Sequence, residues 1–157
     1  MLPIRFWTAF AMRYLGIDYG KRRIGLSYAD GVPVAIPLTP IIIAAHGDLW
    51  QSLDEVINGR KIDVVVVGYP VGMDGSPTAW TLCVEYFIEG LVKRHALPVH
   101  KSDERLTSFQ VDSDLMCHGL RAKRKDIRRH RETGRDDSRA ATLILQDFLD
   151  ELPNKLL

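Results

Sequence analysis

A chain of 157 residues is the size of one domain and is long enough to bury a core of its own. With 46% hydrophobic and 26% charged residues it has a globular composition, which excludes an intrinsically disordered chain. A formal net charge of +1 gives no general attraction to polyanions, so any nucleic-acid contact must come from a local concentration of cations.

Residues 1–11 (MLPIRFWTAFA) precede the first strand signal and are read as an N-terminal extension. Their apolar run is too short for a secretory signal, and no later stretch approaches a membrane span. Cys83 and Cys117 lie in apolar helical patterns without a Cys or His at ligand spacing, so both are expected as buried, reduced thiols in a cytosolic protein.

Tyr14 to Asp18 reads as a short strand, and the turn Tyr19-Gly20-Lys21-Arg22-Arg23 returns the chain as a hairpin partner, Ile24 to Tyr28. A third strand, Val34 to Ile42, carries Pro37 and Pro40 just after Pro33 and should lie at a sheet edge, because proline donates nothing to the ladder. Asp48 is a candidate N-cap for a helix with Leu49, Leu53, Val56 and Ile57 on one face, ended by Asn58-Gly59. The β-branched run Ile62 to Gly68 predicts a parallel strand buried on both faces. After the loop YPVGMDGSPT, capped by Thr78, a helix places Ala79, Leu82, Cys83, Tyr86, Phe87, Gly90 and Leu91 in one stripe. Pro98 to Ser102 is a further strand, followed by a helix over 108–118, a basic stretch, and a last helix over 137–149.

Three strands in a meander followed by helix, strand, helix, strand and two helices predict an α/β fold. It is a mixed five-stranded sheet, three strands antiparallel and two parallel, with helices on both faces. Ribonuclease H-like folds have that architecture, and the first half of actin-like ATPases shares it; a single domain is expected over 12–152, with 153–157 as a tail.

In the last helix Asp137, Ala140, Ala141, Ile144, Leu145 and Phe148 fall at i, i+3, i+4, i+7, i+8 and i+11, so Asp137 is in phase with the buried stripe. Taken alone it would be a cap. Asp18 and the pair Asp103-Glu104, however, also end strands, and sites in open sheets form at the carboxyl ends of strands. Carboxylates crowded there repel one another unless a cation binds, and hard oxygen ligands suit Mg²⁺ or Mn²⁺. Such ions can activate water and stabilise the leaving oxygen of a phosphodiester.

Four segments, in order, carry a resemblance. They are LGIDYGKRRIG (15–25), VVVGYPVGMDG (65–75), DERLT (103–107) and DSRAATLILQDFL (137–149). The chain resembles the YqgF family, also called RuvX, described as Holliday-junction-resolvase-like proteins and pre-16S rRNA nucleases, from Met12 to about Asp150. The resemblance implies Asp18, Glu104 and Asp137 as the catalytic and metal-ligating acids. Strand alternation in the sequence does not choose between Asp103 and Glu104, so Glu104 rests on the family pattern. Departures include Leu26-Ser27 where the family has Val-Ala, and a longer connection between Lys125 and Asp137.

Arg121, Lys123, Arg124, Lys125, Arg128 and Arg129 lead into Asp137 and predict phosphate contacts that weaken with salt. Lys21, Arg22 and Arg23 stand at the other rim, and Arg105 pairs with a carboxylate or with phosphate. Few aromatics interleave with the basic stretch, so no base stacking is expected there. Asp74 is read as a turn residue.

The leading expectation is a cytoplasmic Mg²⁺- or Mn²⁺-dependent nuclease processing the 5′ end of pre-16S rRNA. A rival is a Holliday junction resolvase, whose paired cuts call for a homodimer on branched DNA. A non-catalytic nucleic-acid-binding module is a third reading. An actin-like ATPase, suggested by GIDYGKRRIG, needs a second domain that 157 residues do not provide.

Overall fold

The computed structural model describes residues 11–43, 48–103 and 135–155, with backbone alone at 135–137 and 153–155. Five strands, β1 (Arg13–Tyr19), β2 (Arg23–Asp30), β3 (Ile36–Ile42), β4 (Val64–Tyr69) and β5 (Val99–Asp103), form one sheet in the order β3-β2-β1-β4-β5. The β1–β2 and β2–β3 pairs are antiparallel, while β1–β4 and β4–β5 are parallel, as the order of elements predicts. Proline-bearing β3 is an edge, and β4 lies inside the sheet with Val64 to Gly68 buried.

Three helices are described: α1 (Leu49–Gly59), α2 (Ala79–His95) and α3 (Arg135–Lys155). Asp48 caps α1 by accepting from the Trp50 backbone N–H at 2.9 Å. Thr78 and Thr81 form a reciprocal capping box at the start of α2. The last helix is longer than its stripe predicts, because the apolar positions Leu149 and Leu152 continue it beyond Phe148. No described helix is long and apolar enough to cross a membrane.

Alternation along the strands divides the core. Leu15, Ile17, Val65 and Val67 join Leu53, Ile57, Val84, Phe87 and Leu91 in the cluster under α1 and α2. Tyr14, Val64 and Val66 join Ile144, Leu145, Phe148 and Leu149 under α3.

The buried stripe of α2 differs from its sequence expectation. Thr81, Val84, Phe87, Ile88 and Leu91 face the sheet, whereas Leu82 and Tyr86 are 58% and 76% exposed. Cys83 is exposed too, which corrects its expected burial. This helix is apolar around much of its circumference, so its phase is set by a neighbour. Packing against the sheet selects the Thr81, Val84, Phe87, Ile88 and Leu91 side, and α1 approaches the flank at Gly90, where a Cβ would stand 2.6 Å from the Trp50 indole. Cys117 and the helix expected over 108–118 lie outside the described residues.

Candidate active site at the carboxyl edge of the sheet

Asp18 is the sixth residue of β1, half-buried, in phase with Tyr14 and Gly16 and so on the face that α3 covers. Its antiparallel partner is Gly25, and one step beyond the parallel pair Ile17–Val67 lies Gly68. The carboxylate is therefore flanked on both neighbouring strands by residues without side chains. Gly68 is in turn paired with Ser102 of β5. A row of glycine, aspartate, glycine and serine crosses four strands and leaves an open floor around one acid.

The approach of α3 to this row is fixed by close contact. A Cβ at Gly16 would lie 2.2 Å from Ser27 Oγ, 2.7 Å from Leu145 Cβ and 2.9 Å from the Ala141 carbonyl oxygen, so only glycine fits. Beside it the buried Ser27 hydroxyl donates to the Ala141 carbonyl at 2.7 Å. Ser27 departs from the family pattern noted in the sequence, and its hydroxyl serves to dock this helix. Ser138 Oγ donates to the Leu38 carbonyl at 2.6 Å, fixing the first turn of α3 to β3. Gln146 clamps the β2–β3 connection, accepting from Ala35 N–H and donating to the Pro33 carbonyl, both at 2.9 Å.

These contacts set the register between strand and helix. Tyr14 meets Phe148, with ring centroids 5.9 Å apart, and Gly16 meets Ala141 and Leu145. Two strand residues span about 6.6 Å, or roughly four residues of helix. Moving from Gly16 to Asp18 thus corresponds to moving back one turn along α3, from Ala141 to position 137. By this count the backbone of position 137 lies at about the level of Asp18, on the side of the sheet that α3 covers.

The third acid is constrained by β5. His100 packs on Phe148 of α3, with centroids 4.9 Å apart, whereas Lys101 bonds Glu85 of α2 at 2.6 Å. Asp103, two residues after Lys101, is in phase with it on the α2 face, opposite to Asp18. Glu104 lies outside the described residues, as do Arg105, Arg121, Lys123, Arg124, Lys125, Arg128 and Arg129. Among the described residues no three His, Cys, Asp or Glu side chains gather closely enough to hold a metal ion.

The turn after Asp18 is tight, with Gly20 N–H bonded to the Arg23 carbonyl at 3.0 Å and Lys21 and Arg22 exposed. Sequence reasoning missed the aromatic residues here. Tyr19 stacks on Trp80 (5.6 Å, 12° between planes) and on Phe87 (4.3 Å, 17°). Burial first, and the nearby Cys83 thiol second, push the Tyr19 phenol up, so it stays neutral. Trp80 is 61 positions from Tyr19 in sequence, and the only signal there was its place just inside a helix cap. The loop before α2 is held by Asp74, whose Oδ1 accepts from Ser76 N–H at 3.0 Å and from its hydroxyl at 2.6 Å, as its turn reading predicts.

Residues 12–151 match the family model described as RuvX, Holliday junction resolvase. A relative from Opitutus terrae named "Putative pre-16S rRNA nuclease" is 43% identical over 141 residues, covering 89% of this chain and 92% of its own. One of the same name from Anaeromyxobacter is 37% identical, covering 88% and 97%. In fold, the chain is similar to the Fowlpox virus resolvase solved with Holliday junction DNA, with a TM-score of 0.54 at 12% identity, covering 90% and 99%. It is likewise similar to Thermus thermophilus RuvC solved with a Holliday junction substrate, with a TM-score of 0.50 at 17% identity, covering 88% and 94%. The fold is the RuvC-like, ribonuclease H-like one that the order of elements predicts, and the chain belongs to the RuvX family.

Proposed function

We propose that this protein is a cytoplasmic, divalent-metal-dependent nuclease that processes the 5′ end of pre-16S rRNA. The observation that carries the reading is the register that sets Asp18 and position 137 at one level beside a glycine-lined floor. It supports this function in a chain 43% identical, over nearly its whole length, to a relative of that name.

Asp18, Glu104 and Asp137 are the acids assigned to the site. Glu104 is preferred to Asp103 because Asp103 is in phase with Lys101 on the opposite face. The proposed donors are all oxygen, which suits Mg²⁺ or Mn²⁺, and Gly25 and Gly68 beside Asp18 carry no side chain to fill the space a substrate phosphate would take. Bound there, such an ion supplies an activated water and stabilises the leaving oxygen. The chain's own residues hold the ion and position the strand to be cut. Lys21, Arg22 and Arg23 take phosphates at one rim, and Arg105, Arg121, Lys123, Arg124, Lys125, Arg128 and Arg129 take them at the other.

A second reading, cleavage of branched DNA by a homodimer, is favoured by the description of the family model. One experiment separates the two. A labelled pre-16S 5′ leader and a four-way DNA junction are incubated with Mg²⁺, Mn²⁺ or EDTA, using wild type and Asp18→Asn. Cutting of the leader alone, dependent on metal and lost in the variant, is the expected result. Cutting of the junction alone selects the resolvase. Binding without cutting of either leaves a nucleic-acid-binding module and overturns both.

A further inference from the structure

At the end of the sheet where β1 begins, far from Asp18, the edge leaves apolar side chains in water. Val32 and Val34 are each 55% exposed and Ile36 is 49% exposed. In β3, Ile36 is in phase with Leu38, which packs on the cluster under α1 and α2, while the preceding Ala35 belongs to the cluster under α3. The helical layer stops one strand short of Ile36. Its neighbour on β2 is Tyr28, and the Arg60 guanidinium, just after α1, lies over the Tyr28 ring at 4.8 Å from its centroid. Val34 and Ile36 thus extend an apolar surface past the last group that covers it.

The strand register delivers the N-terminal segment to this surface. Arg13 is paired with Asp30, so Met12 stands level with the turn at Gly31, and Leu15, Tyr28 and Ile36 form one row across three strands. Two strand spacings and three residues of rise put Met12 about 14 Å from Ile36, whereas ten extended residues span about 33 Å. Four or five residues back from Met12 is Trp7. In MLPIRFWTAF only Arg5 is charged and only Thr8 is otherwise polar, and the family match, which covers 12–151, leaves the segment out. Arg5 has a suitable counter-charge beside the patch in exposed Asp30, whose carboxylate accepts from the Tyr28 hydroxyl at 3.1 Å. The other exposed apolar pair, Leu82 and Tyr86, lies near the start of α2, which follows the carboxyl end of β4 at the opposite end of the sheet. Reaching it would use most of the segment as a tether.

We propose that residues 1–10 fold back as an apolar strap over Val34 and Ile36, with Phe6 and Trp7 on the patch and Arg5 toward Asp30. An apolar surface beside an open sheet edge is a template for self-association, and the strap covers it with the chain's own residues. Pro37 and Pro40 already blunt the backbone of β3, so the strap completes the protection of that edge through side chains. The surface lies at the opposite end of the strands from Asp18, so the proposal is independent of the nuclease reading.

The test uses the full chain without substrate. A photo-crosslinking benzoylphenylalanine is placed at position 7 in a mixture of isotopically light and heavy protein, and the linked peptides are identified by mass spectrometry. Links to residues 32–38 within one chain are expected. Hydrogen exchange is then compared in wild type, Trp7→Ala, the double variant Phe6→Ser/Trp7→Ser, and Ile36→Ser, with thermal melts reporting folding. The double variant should speed exchange of the amides between 34 and 38 about 10-fold or more, the effect of uncovering one large apolar side chain. Trp7→Ala should give most of that change. Trp7→Ala combined with Ile36→Ser should lower Tm little more than Ile36→Ser alone, because the two side chains share one contact. Links between light and heavy chains would assign the patch to a second copy, and links to 82–86 would place the segment on α2. Retention on anionic vesicles, lost in the double variant and without links to 32–38, would make the segment a lipid anchor. Each of these outcomes overturns the strap, as does unchanged exchange at 34–38 in the folded double variant.

Discussion

On one face of the sheet, Leu15, Ile17, Val65 and Val67 share a cluster with Leu53, Ile57, Phe87 and Leu91, and the helices are held by side-chain volume. On the other, Gly16 admits the backbone of α3, Ser27 bonds the Ala141 carbonyl, and Ser138 and Gln146 bond the carbonyls of Leu38 and Pro33. Apolar packing is non-directional and tolerates small shifts, whereas side-chain to backbone hydrogen bonds fix a helix along its axis as well as against the sheet. The face that carries Asp18 adds such bonds to its own apolar cluster of Tyr14, Val64 and Val66 with Ile144, Leu145, Phe148 and Leu149. Both faces contribute apolar burial, and the α3 face adds directional bonds beside Asp18.

The largest thermal effect is expected from the apolar face. Leu91→Ala removes a side chain that is 1% exposed and should cost about 2–5 kcal/mol, lowering Tm by roughly 5–15 °C. Cleavage by the folded protein, assayed well below that Tm, should stay near wild type. A matching loss of turnover would show that the faces are not separable.

Gly16→Ala should do the reverse. Its methyl would press on Ser27, Leu145 and Ala141 at once, costing about 1–3 kcal/mol in Tm measurements. Pushing α3 outward shifts position 137 relative to Asp18, and a displacement of about 1 Å suffices for a 100-fold fall in kcat. Full activity in this variant would break the link between helix docking and the site.

The smallest effect is electrostatic. Asp54, Asp63 and Glu85 are held below the usual carboxylate range by hydrogen bonds, first from Arg94, Arg13 and Lys101 respectively. A lowered pKa means that the folded state binds protons less readily than the unfolded one. The stabilisation is then complete above the ordinary carboxylate pKa and lost as pH falls through the folded values. Asp147 on α3 moves the opposite way, pushed up by burial first and then by Asp150 and Glu151, so its ionised form is disfavoured by folding and relieved as pH falls. Asp63→Asn should lower Tm at pH 7 by less than about 1 kcal/mol in equivalent stability, because the pair is partly exposed. Part of the acid-induced fall in Tm should vanish with it. An unchanged acid limb would remove Arg13–Asp63 from the account.

Period-two alternation, proline placement and a single 3.6-residue stripe were enough to predict the sheet, its edge strand and the buried face of α3, because each is a local consequence of burial. The strand-end position of Asp18 was legible for the same reason. Helix α2 was not, since an element apolar on several sides has no unique buried face until it meets the sheet. The face of Asp103 needed the register of β5 against β4, which alternation within one strand leaves open. The Trp80–Tyr19–Phe87–Trp50 column joins residues from three separate segments, and only chain folding brings their rings together. The sequence by itself determined the described strands and helices, whose signals lie within a few residues. Tertiary structure decided rotation, register and the aromatic column, because these depend on which distant surface each element meets.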